Sequence, residues 1–264
     1  MATPSPYPLP LSGDPLVDAT THGYYWELGE SKTINWSLSD NISENLYWVN
    51  PTLDGGLGSR IDEIFDALSY YIDVEFNYVG YWDDPRTAAT KGSDINISMS
   101  SWLFNSPNAL AMAFFPNASE DTNWYQGASG DIFINVDSQA NAYESYGPGS
   151  QGWFLLLHEI GHALGLKHPH DDGGTGSPTL NEIGLAGLNY DWASIMSYED
   201  DYNYSLLAYD PATPMFLDVV GLQYLYGANN SVNAGDGVFS LSKNNQYQTY
   251  WDPSGSDTID AASV

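Results

Sequence analysis

Residues 158–168 have the sequence HEIGHALGLKH and hold three of the five histidines of the chain. On a helix, His158 and His162 lie one turn apart on the same face, so both imidazoles can reach one metal ion. Gly165 allows the chain to leave the helix with a positive φ, and the turn that follows can bring His168 back as a third nitrogen ligand. Three protein ligands leave one position open to water, which is the arrangement of catalytic zinc sites rather than structural ones.

The same stretch supplies a candidate general base. Glu159 stands next to the first of these histidines and therefore lies off their shared helix face. From there its carboxylate can approach a water held on the metal and take its proton. A purely structural zinc site would not need this residue. The motif therefore predicts hydrolysis by a metal-activated water with Glu159 as the general base.

A second motif, SIMSY at residues 194–198, supports this interpretation. Met196 would give the metal site a soft, apolar floor. Tyr198 can place a phenol near the metal, where it would stabilise the oxyanion of a tetrahedral intermediate. Either residue alone would be uninformative. After the histidine motif, they predict a methionine turn beneath a catalytic metal.

Taken together, HEIGHALGLKHP (158–169) and SIMSY (194–198) resemble the serralysin-type metzincin proteases. Weaker similarities to that family extend over roughly residues 20–260. They are GDIFIN (130–135) for the strand before the catalytic helix, AMAFFP (111–116) for the substrate-binding edge strand, DVVGLQYLYGAN (218–229) for the last catalytic-domain helix, and WDPSGSDTID (251–260) for the start of the calcium-binding repeats.

The resemblance implies a secreted bacterial zinc endopeptidase. It implies that Tyr198 is a fifth zinc ligand at rest and moves away when substrate arrives. It also implies an edge strand along which the substrate pairs in extended form, formed by Ala111, Met112, Ala113 and Phe114. One departure from the family is that the sequence stops at Val264 after one partial calcium-binding unit. Either the repeats were removed or this is a short member of the family.

The order of elements predicts an α+β fold. An apolar stripe at helical spacing predicts a first helix through Ile61, Ile64, Phe65, Leu68 and Ile72. Two more helices are predicted, at Trp153–Leu166 and at Pro214–Tyr226 with Gly227 as its C-cap. Short runs rich in β-formers predict strands at 23–38, 73–79, 94–99, 111–115 and 131–136.

From these elements we expect a twisted, mostly parallel sheet over two long helices, with an active-site cleft between upper and lower subdomains. The resemblance specifies the metzincin zinc-protease fold, with five strands and a third helix after the methionine turn. We predict an extended, Pro-rich leader at 1–20, a catalytic domain at 21–230 and a β/turn tail at 231–264. Residues 167–214 have little periodicity and predict a long functional loop.

The composition excludes several classes of protein. The net charge is −28, from 6 basic and 34 acidic residues, which argues against nucleic acid and against docking on an anionic membrane. The chain has no cysteine, so disulfide scaffolds and thiolate catalysis are excluded. No apolar run approaches the length of a transmembrane helix, and the N-terminus lacks the features of a cleavable secretory signal. We expect a monomer, and the resemblance implies that it is exported without such a signal and acts on proteins or peptides.

Several questions stay open at this level. The net negative charge is either an adaptation to a saline medium or a means of attracting basic peptides to the cleft. If it attracts basic peptides, kcat/KM should fall with rising salt for cationic peptides but not for neutral ones. His170 either tunes the site, binds a second ion or is an ordinary loop histidine. The alternative to an endopeptidase is a non-catalytic binding or adhesion module stabilised by zinc or calcium. Four tail carboxylates either bind calcium or belong to a solvated tail: Asp236, Asp252, Asp257 and Asp260.

Overall fold

The computed structural model describes residues 2–40, 56–100, 109–135, 146–199, 210–242 and 246–264. The helices in these ranges are α1 (Pro15–Thr20), α2 (Leu57–Tyr71), α3 (Pro85–Thr90), α4 (Glu120–Asn123), α5 (Gln151–Ala163) and α6 (Phe216–Tyr226). The strands are β1 (Thr3–Pro4), β2 (Trp26–Glu27), β3 (Thr33–Ser39), β4 (Glu75–Trp82), β5 (Ile95–Ser100), β6 (Ala111–Ala113), β7 (Ile132–Asn135), β8 (Val238–Ser242) and β9 (Thr258–Ser263).

Five of these strands form the central sheet, in the order β4-β3-β5-β7-β6. The first three pairings are parallel, and β6 runs antiparallel to β7 at one edge, with Ala113 opposite Ile132. Strands β3 and β5 are buried on both faces, which is typical of strands inside a parallel sheet. The predicted α+β fold with a mostly parallel five-stranded sheet is confirmed.

The main core joins the sheet to the long helices α2 and α5. The stripe predicted for α2 is buried, and its Phe65 ring packs 5.0 Å from the Trp36 ring of β3. Helix α5 is capped by Ser150, whose hydroxyl accepts a hydrogen bond from the Trp153 N–H, and almost all of the helix's side chains are buried. A helix that is apolar all round lies inside a protein, and α5 carries the histidine motif into the core.

The N-terminal segment differs from the predicted extended leader. Residues 15–20 form helix α1, so the prediction is wrong for that part of 1–20. The physical reason is a helix start signal, because Asp14 accepts a hydrogen bond from the Leu16 N–H and Pro15 occupies the first helical position. Helix α1 packs against α6, and the Thr20 carbonyl accepts a hydrogen bond from the Lys167 N–H.

The segment after α5 is irregular, as predicted, apart from a short 3₁₀ turn at Ala186–Leu188. The part of the predicted loop at residues 200–209 lies outside the described residues. Helix α6 is the helix predicted to follow the methionine turn, and its C-cap is Gly227, which has a φ of 82°. This agrees with the helix and the C-cap predicted from the sequence.

Strands β8 and β9 form a separate, parallel two-stranded sheet whose described side chains are mostly exposed. The boundary predicted near residue 230 remains a prediction. Within the described ranges, we find no helix with the length and apolarity needed to cross a membrane.

Candidate active site

The three predicted histidine ligands converge on one point. The Nε2 atom of His168 lies 3.0 Å from Nε2 of His162 and 3.3 Å from Nε2 of His158. Helix α5 holds the first two residues one turn apart, and Gly165, with a φ of 99°, ends the helix. The Leu166 N–H then donates to the Gly161 carbonyl at 2.9 Å, which turns the chain back towards the third histidine. The local sequence therefore brings the three histidines together.

Each histidine is also held at its other ring nitrogen. Nδ1 of His158 lies 2.8 Å from the Ile195 carbonyl, and Nδ1 of His162 lies 2.8 Å from the Leu166 carbonyl. Nδ1 of His168 lies 2.7 Å from a carboxylate oxygen of Asp171. These oxygens only accept, so each Nδ1 carries the proton and each Nε2 presents a lone pair.

Three lone pairs that face one another need a cation between them. Burial lowers the pKa of His158 to about 4 and holds the pKa values of His162 and His168 below their usual range, which keeps the rings neutral. Three neutral imidazoles with their second nitrogens anchored form a donor set that suits zinc. The residues present therefore fit the metal that the sequence predicts.

Glu159 lies beside this cluster and is buried. Its Oε2 atom has no hydrogen-bond partner within the described part of the chain. Burial raises the pKa of Glu159 to about 8, and a divalent cation nearby would favour the charged carboxylate again. An unpartnered buried carboxylate next to a metal site can move a proton.

The methionine turn lies directly beneath α5. A Cβ on Gly161 would lie 2.7 Å from Sδ of Met196, so the glycine allows this close approach. The turn is fixed by Asp218, which the sequence analysis missed. Its carboxylate accepts hydrogen bonds from the Ser194 hydroxyl at 2.7 Å, the Ile195 N–H at 2.8 Å and the Met215 N–H at 2.7 Å. An acidic residue in the first turn of α6 was the signal that could have found it.

Tyr198 lies at the open side of the cluster. Its side chain is 65% exposed, and its ring centroid lies 4.4 Å from that of His168 and 5.6 Å from that of His158. The ring of His170 stacks parallel to that of His168 at 5.1 Å. The structure thus brings the predicted phenol next to the three histidines.

A cavity of about 400 Å³ opens next to Glu159 and Tyr198. Its walls are mainly apolar and include Leu110, Ala111 and Phe154. The predicted substrate-binding residues divide between the two faces of β6. Ala111 lines the cavity and Ala113 packs against the main core, whereas Met112 and Phe114 pack in a second apolar cluster with Ala128 and Phe133.

Two further residues close to the site were missed. His22 stacks on Phe115 with ring centroids 3.5 Å apart, and its Nε2 donates to the Gly173 carbonyl at 2.8 Å. Phe115 in turn contacts His162 edge-on at 5.3 Å. Lys167 is fully buried next to the third histidine. His22 lies in no recognisable motif, and Lys167 occupies a position of the 158–168 motif to which no role was assigned. Each has a hydrogen-bond partner from a distant part of the chain, Gly173 for His22 and Ala19 for Lys167.

The mixed α+β fold and the three-histidine cluster are compatible with a metzincin-type metalloprotease. No protein-family profile matches the chain. Serralysin C of Dickeya chrysanthemi is 34% identical over 168 residues, covering 57% of this chain and 33% of the relative. Metalloprotease AprA of Pseudomonas entomophila is 30% identical over 198 residues, covering 66% of this chain and 39% of the relative. Serralysin B of D. chrysanthemi is 25% identical over 292 residues, covering 92% of this chain and 59% of the relative.

These similarities confirm the resemblance found in the sequence: the chain is a relative of the serralysin-type metalloproteases. The chain spans about a third of the length of the first relatives that it matches.

Proposed function

We propose that this protein is a zinc-dependent endopeptidase with a metzincin active site, which cleaves internal peptide bonds of proteins. The observation that carries the proposal is the convergence of three anchored imidazoles beside an unpartnered, buried glutamate. His158, His162 and His168 would hold the zinc ion. Zinc lowers the pKa of a bound water and polarises a substrate carbonyl.

The residues of the chain supply the remaining steps. Glu159 takes a proton from the attacking water and then gives it to the leaving amine. Tyr198 donates its phenolic hydrogen to the oxyanion that forms at the scissile carbonyl. In the same proposal, Tyr198 would be a further zinc ligand before the substrate binds and would move away when the substrate arrives.

The substrate would bind in extended form along β6. This strand lies at an edge of the central sheet and pairs with β7 in the described structure. The cavity next to Glu159 has the size and the apolar walls to accept one apolar side chain of the substrate. A cleft between upper and lower subdomains is the arrangement that would place the scissile bond over the zinc.

Zinc content and casein hydrolysis, measured on the same samples, test this function. We expect one zinc ion per chain in the wild type and in Glu159→Ala, with activity lowered by roughly 10²- to 10⁴-fold in the variant because the general base is lost. Glu63→Ala is the control, since Glu63 is an exposed glutamate on α2 that pairs with Arg60.

The outcomes separate the candidate functions. A wild type that holds zinc but cleaves no unfolded protein substrate would instead support a non-catalytic binding module. An active Glu159→Ala variant would leave the fold assignment intact and overturn the role of the glutamate.

We also propose that calcium binds between the turns of the C-terminal tail. Asp236 accepts a hydrogen bond from the Ser256 N–H and Asp257 accepts one from the Gly237 N–H, which brings the two turns together. Oδ2 of Asp252 is buried there without a partner among the described residues. Calorimetric titration with CaCl₂ measures this site, and the absence of a binding heat would count against it.

We infer an extracellular location, a monomeric state and protein substrates, with no nucleic-acid partner. The resemblance to serralysin-type proteases supports the extracellular location and the protein substrates. The net charge of −28 argues against a nucleic-acid partner. Light scattering of the purified chain tests the monomer.

A further inference from the structure

Lys167 is a buried cation next to the third histidine. Its side chain is among the largest that are fully buried, with 1% exposure. A charged group at such a position lowers stability unless hydrogen bonds compensate for the lost water. The Lys167 ammonium has such partners, all of them main-chain carbonyl oxygens.

These carbonyls come from three separate places in the chain. Nζ of Lys167 lies 2.9 Å from the Ala19 carbonyl, which belongs to α1. It lies 3.3 Å from the carbonyl of His168 and 2.8 Å from that of Asp171. The fourth oxygen, of Pro178, lies 3.1 Å away. One side chain thus joins α1 to both ends of the loop that carries the third ligand.

Asp171 connects the Lys167 ammonium to the imidazole of His168. Asp171 accepts a hydrogen bond from Lys167 at its main-chain carbonyl and another from Nδ1 of His168 at its carboxylate. The ammonium therefore fixes the residue that orients the third imidazole. Hydrogen bonds from a charged donor are about twice as strong as neutral ones, so this link is stiffer than the turn alone.

The main chain strengthens the same junction from the N-terminal side. The Lys167 N–H donates to the Thr20 carbonyl at 2.9 Å, and the His22 N–H donates to the Gly165 carbonyl at 2.8 Å. Residues 19–22 therefore lie along the exit of α5, on the segment between the second and the third ligand.

We propose that Lys167 is a positioning residue of the metal centre. Its ammonium ties the loop at residues 168–178 to α1 and thereby holds His168 Nε2 within reach of the other two ligands. This inference rests on the proposed function, because it assumes that the three histidines hold zinc.

Zinc release from Lys167→Met tests the proposal. The methionine keeps the length and the apolar stem of lysine but removes the donors, leaving the loop free to move away from α1. We expect zinc transfer to a chromophoric chelator to be about 10- to 100-fold faster than in the wild type, the effect typical of lost outer-shell contacts. The visible spectrum of the cobalt-loaded variant should also differ from that of the wild type, because the third imidazole is no longer held.

Two controls separate positioning from general destabilisation. Lys32→Met removes an exposed lysine that pairs with Asp73 and should leave zinc release unchanged. Leu68→Ala creates a cavity in the core on α2, so it lowers the melting temperature without touching the loop. If Lys167→Met does not fold, Lys167→Gln keeps two donors on a shorter, neutral side chain and is expected to release zinc faster than the wild type.

The readouts distinguish failure of the two proposals. Equal zinc release from the wild type and the Lys167 variants would overturn the positioning role, and so would equally fast release from Leu68→Ala. A wild type that binds no zinc would overturn the proposed function, on which the inference rests.

Discussion

The imidazoles of His158 and His162 are kept ready for a metal by two effects. Burial disfavours the charged ring and lowers both pKa values, and a carbonyl oxygen at each Nδ1 fixes the tautomer. Protonation at Nε2 would place a hydrogen where a second imidazole already lies. The protein therefore presents a preformed donor set at neutral pH.

Tyr198 provides a prediction at the scale of one atom. Tyr198→Phe removes the phenolic hydroxyl and leaves the ring stacked against the histidines. If the hydroxyl stabilises the oxyanion, kcat should fall by about 10²-fold, with KM and zinc content nearly unchanged.

Steady-state kinetics on a fluorogenic peptide measures this effect. Tyr224→Phe is the matched control, because Tyr224 is an exposed tyrosine on α6. A Tyr198→Phe variant with wild-type kcat would remove the oxyanion role, and one that raised KM alone would assign the residue to substrate binding.

The convergence of His158, His162 and His168 could be predicted from the sequence because their spacing is local. Positions four apart on a helix share a face in any fold, and Gly165 marked the turn that returns His168. The partners of His158 and Lys167 could not be predicted, since the Ile195 and Ala19 carbonyls reach the site through tertiary packing.

At the scale of elements, the exit of α5 depends on one glycine. Gly165 has a φ of 99°, and a Cβ there would lie 2.3 Å from the main-chain carbonyl oxygen of Tyr24. The main chain at Tyr24 cannot move away from an added methyl group as easily as the end of a flexible side chain could. The glycine therefore serves the backbone conformation and the close packing of two segments at once.

Gly165→Ala should therefore lower the free energy of unfolding by more than the strain of a positive φ alone, because the added methyl group also contacts Tyr24. Strain at positive φ costs about 1–2 kcal/mol, and forcing an extra methyl group into a packed region adds about 1–3 kcal/mol. Gly174→Ala is the matched control, with a φ of 75° and open space around the added Cβ. Urea denaturation of both variants measures the difference. Equal losses of unfolding free energy would show that the contact with Tyr24 is relieved at no cost.

The long, periodic elements agreed with their predictions, and the short capped ones did not. Four residues of the predicted apolar stripe lie on α2 and the fifth, Ile72, is its C-cap, so the helical spacing predicted this helix well. Helix α1 has only six residues, and its start signal, Asp14 before Pro15, follows four closely spaced prolines. Those prolines favoured an extended segment, whereas packing against α6 stabilises the helix.

At the scale of the whole molecule, the charge of −28 acts on every acidic group at once. The described residues offer few compensating contacts, since Lys32–Asp73 and Arg60–Glu63 are exposed ion pairs. Burial together with the charges of Asp66 and Glu63 raises the pKa of Asp62 on α2, an example of like charges close together. Compact folding brings such charges nearer and costs free energy.

Added salt should therefore stabilise the protein. The screening length falls from about 30 Å at 0.01 M to about 10 Å at 0.1 M, so repulsion between distant carboxylates is largely removed in that interval. Salt also weakens the two exposed ion pairs, but each contributes only about 0–1 kcal/mol. A net gain of 1–2 kcal/mol would raise the melting temperature by roughly 2–8 °C for a chain of this size.

Calorimetric melting of the zinc-loaded protein in NaCl from 0.01 to 0.5 M, at constant calcium, measures this gain. Choline chloride is the control, because screening depends on ionic strength and a specific sodium site would not respond to choline. A rise that occurs mostly below 0.2 M in both salts is the expected result. A melting temperature that stays flat or falls would mean that the acidic groups are already far enough apart, or compensated well enough, for their repulsion not to limit stability.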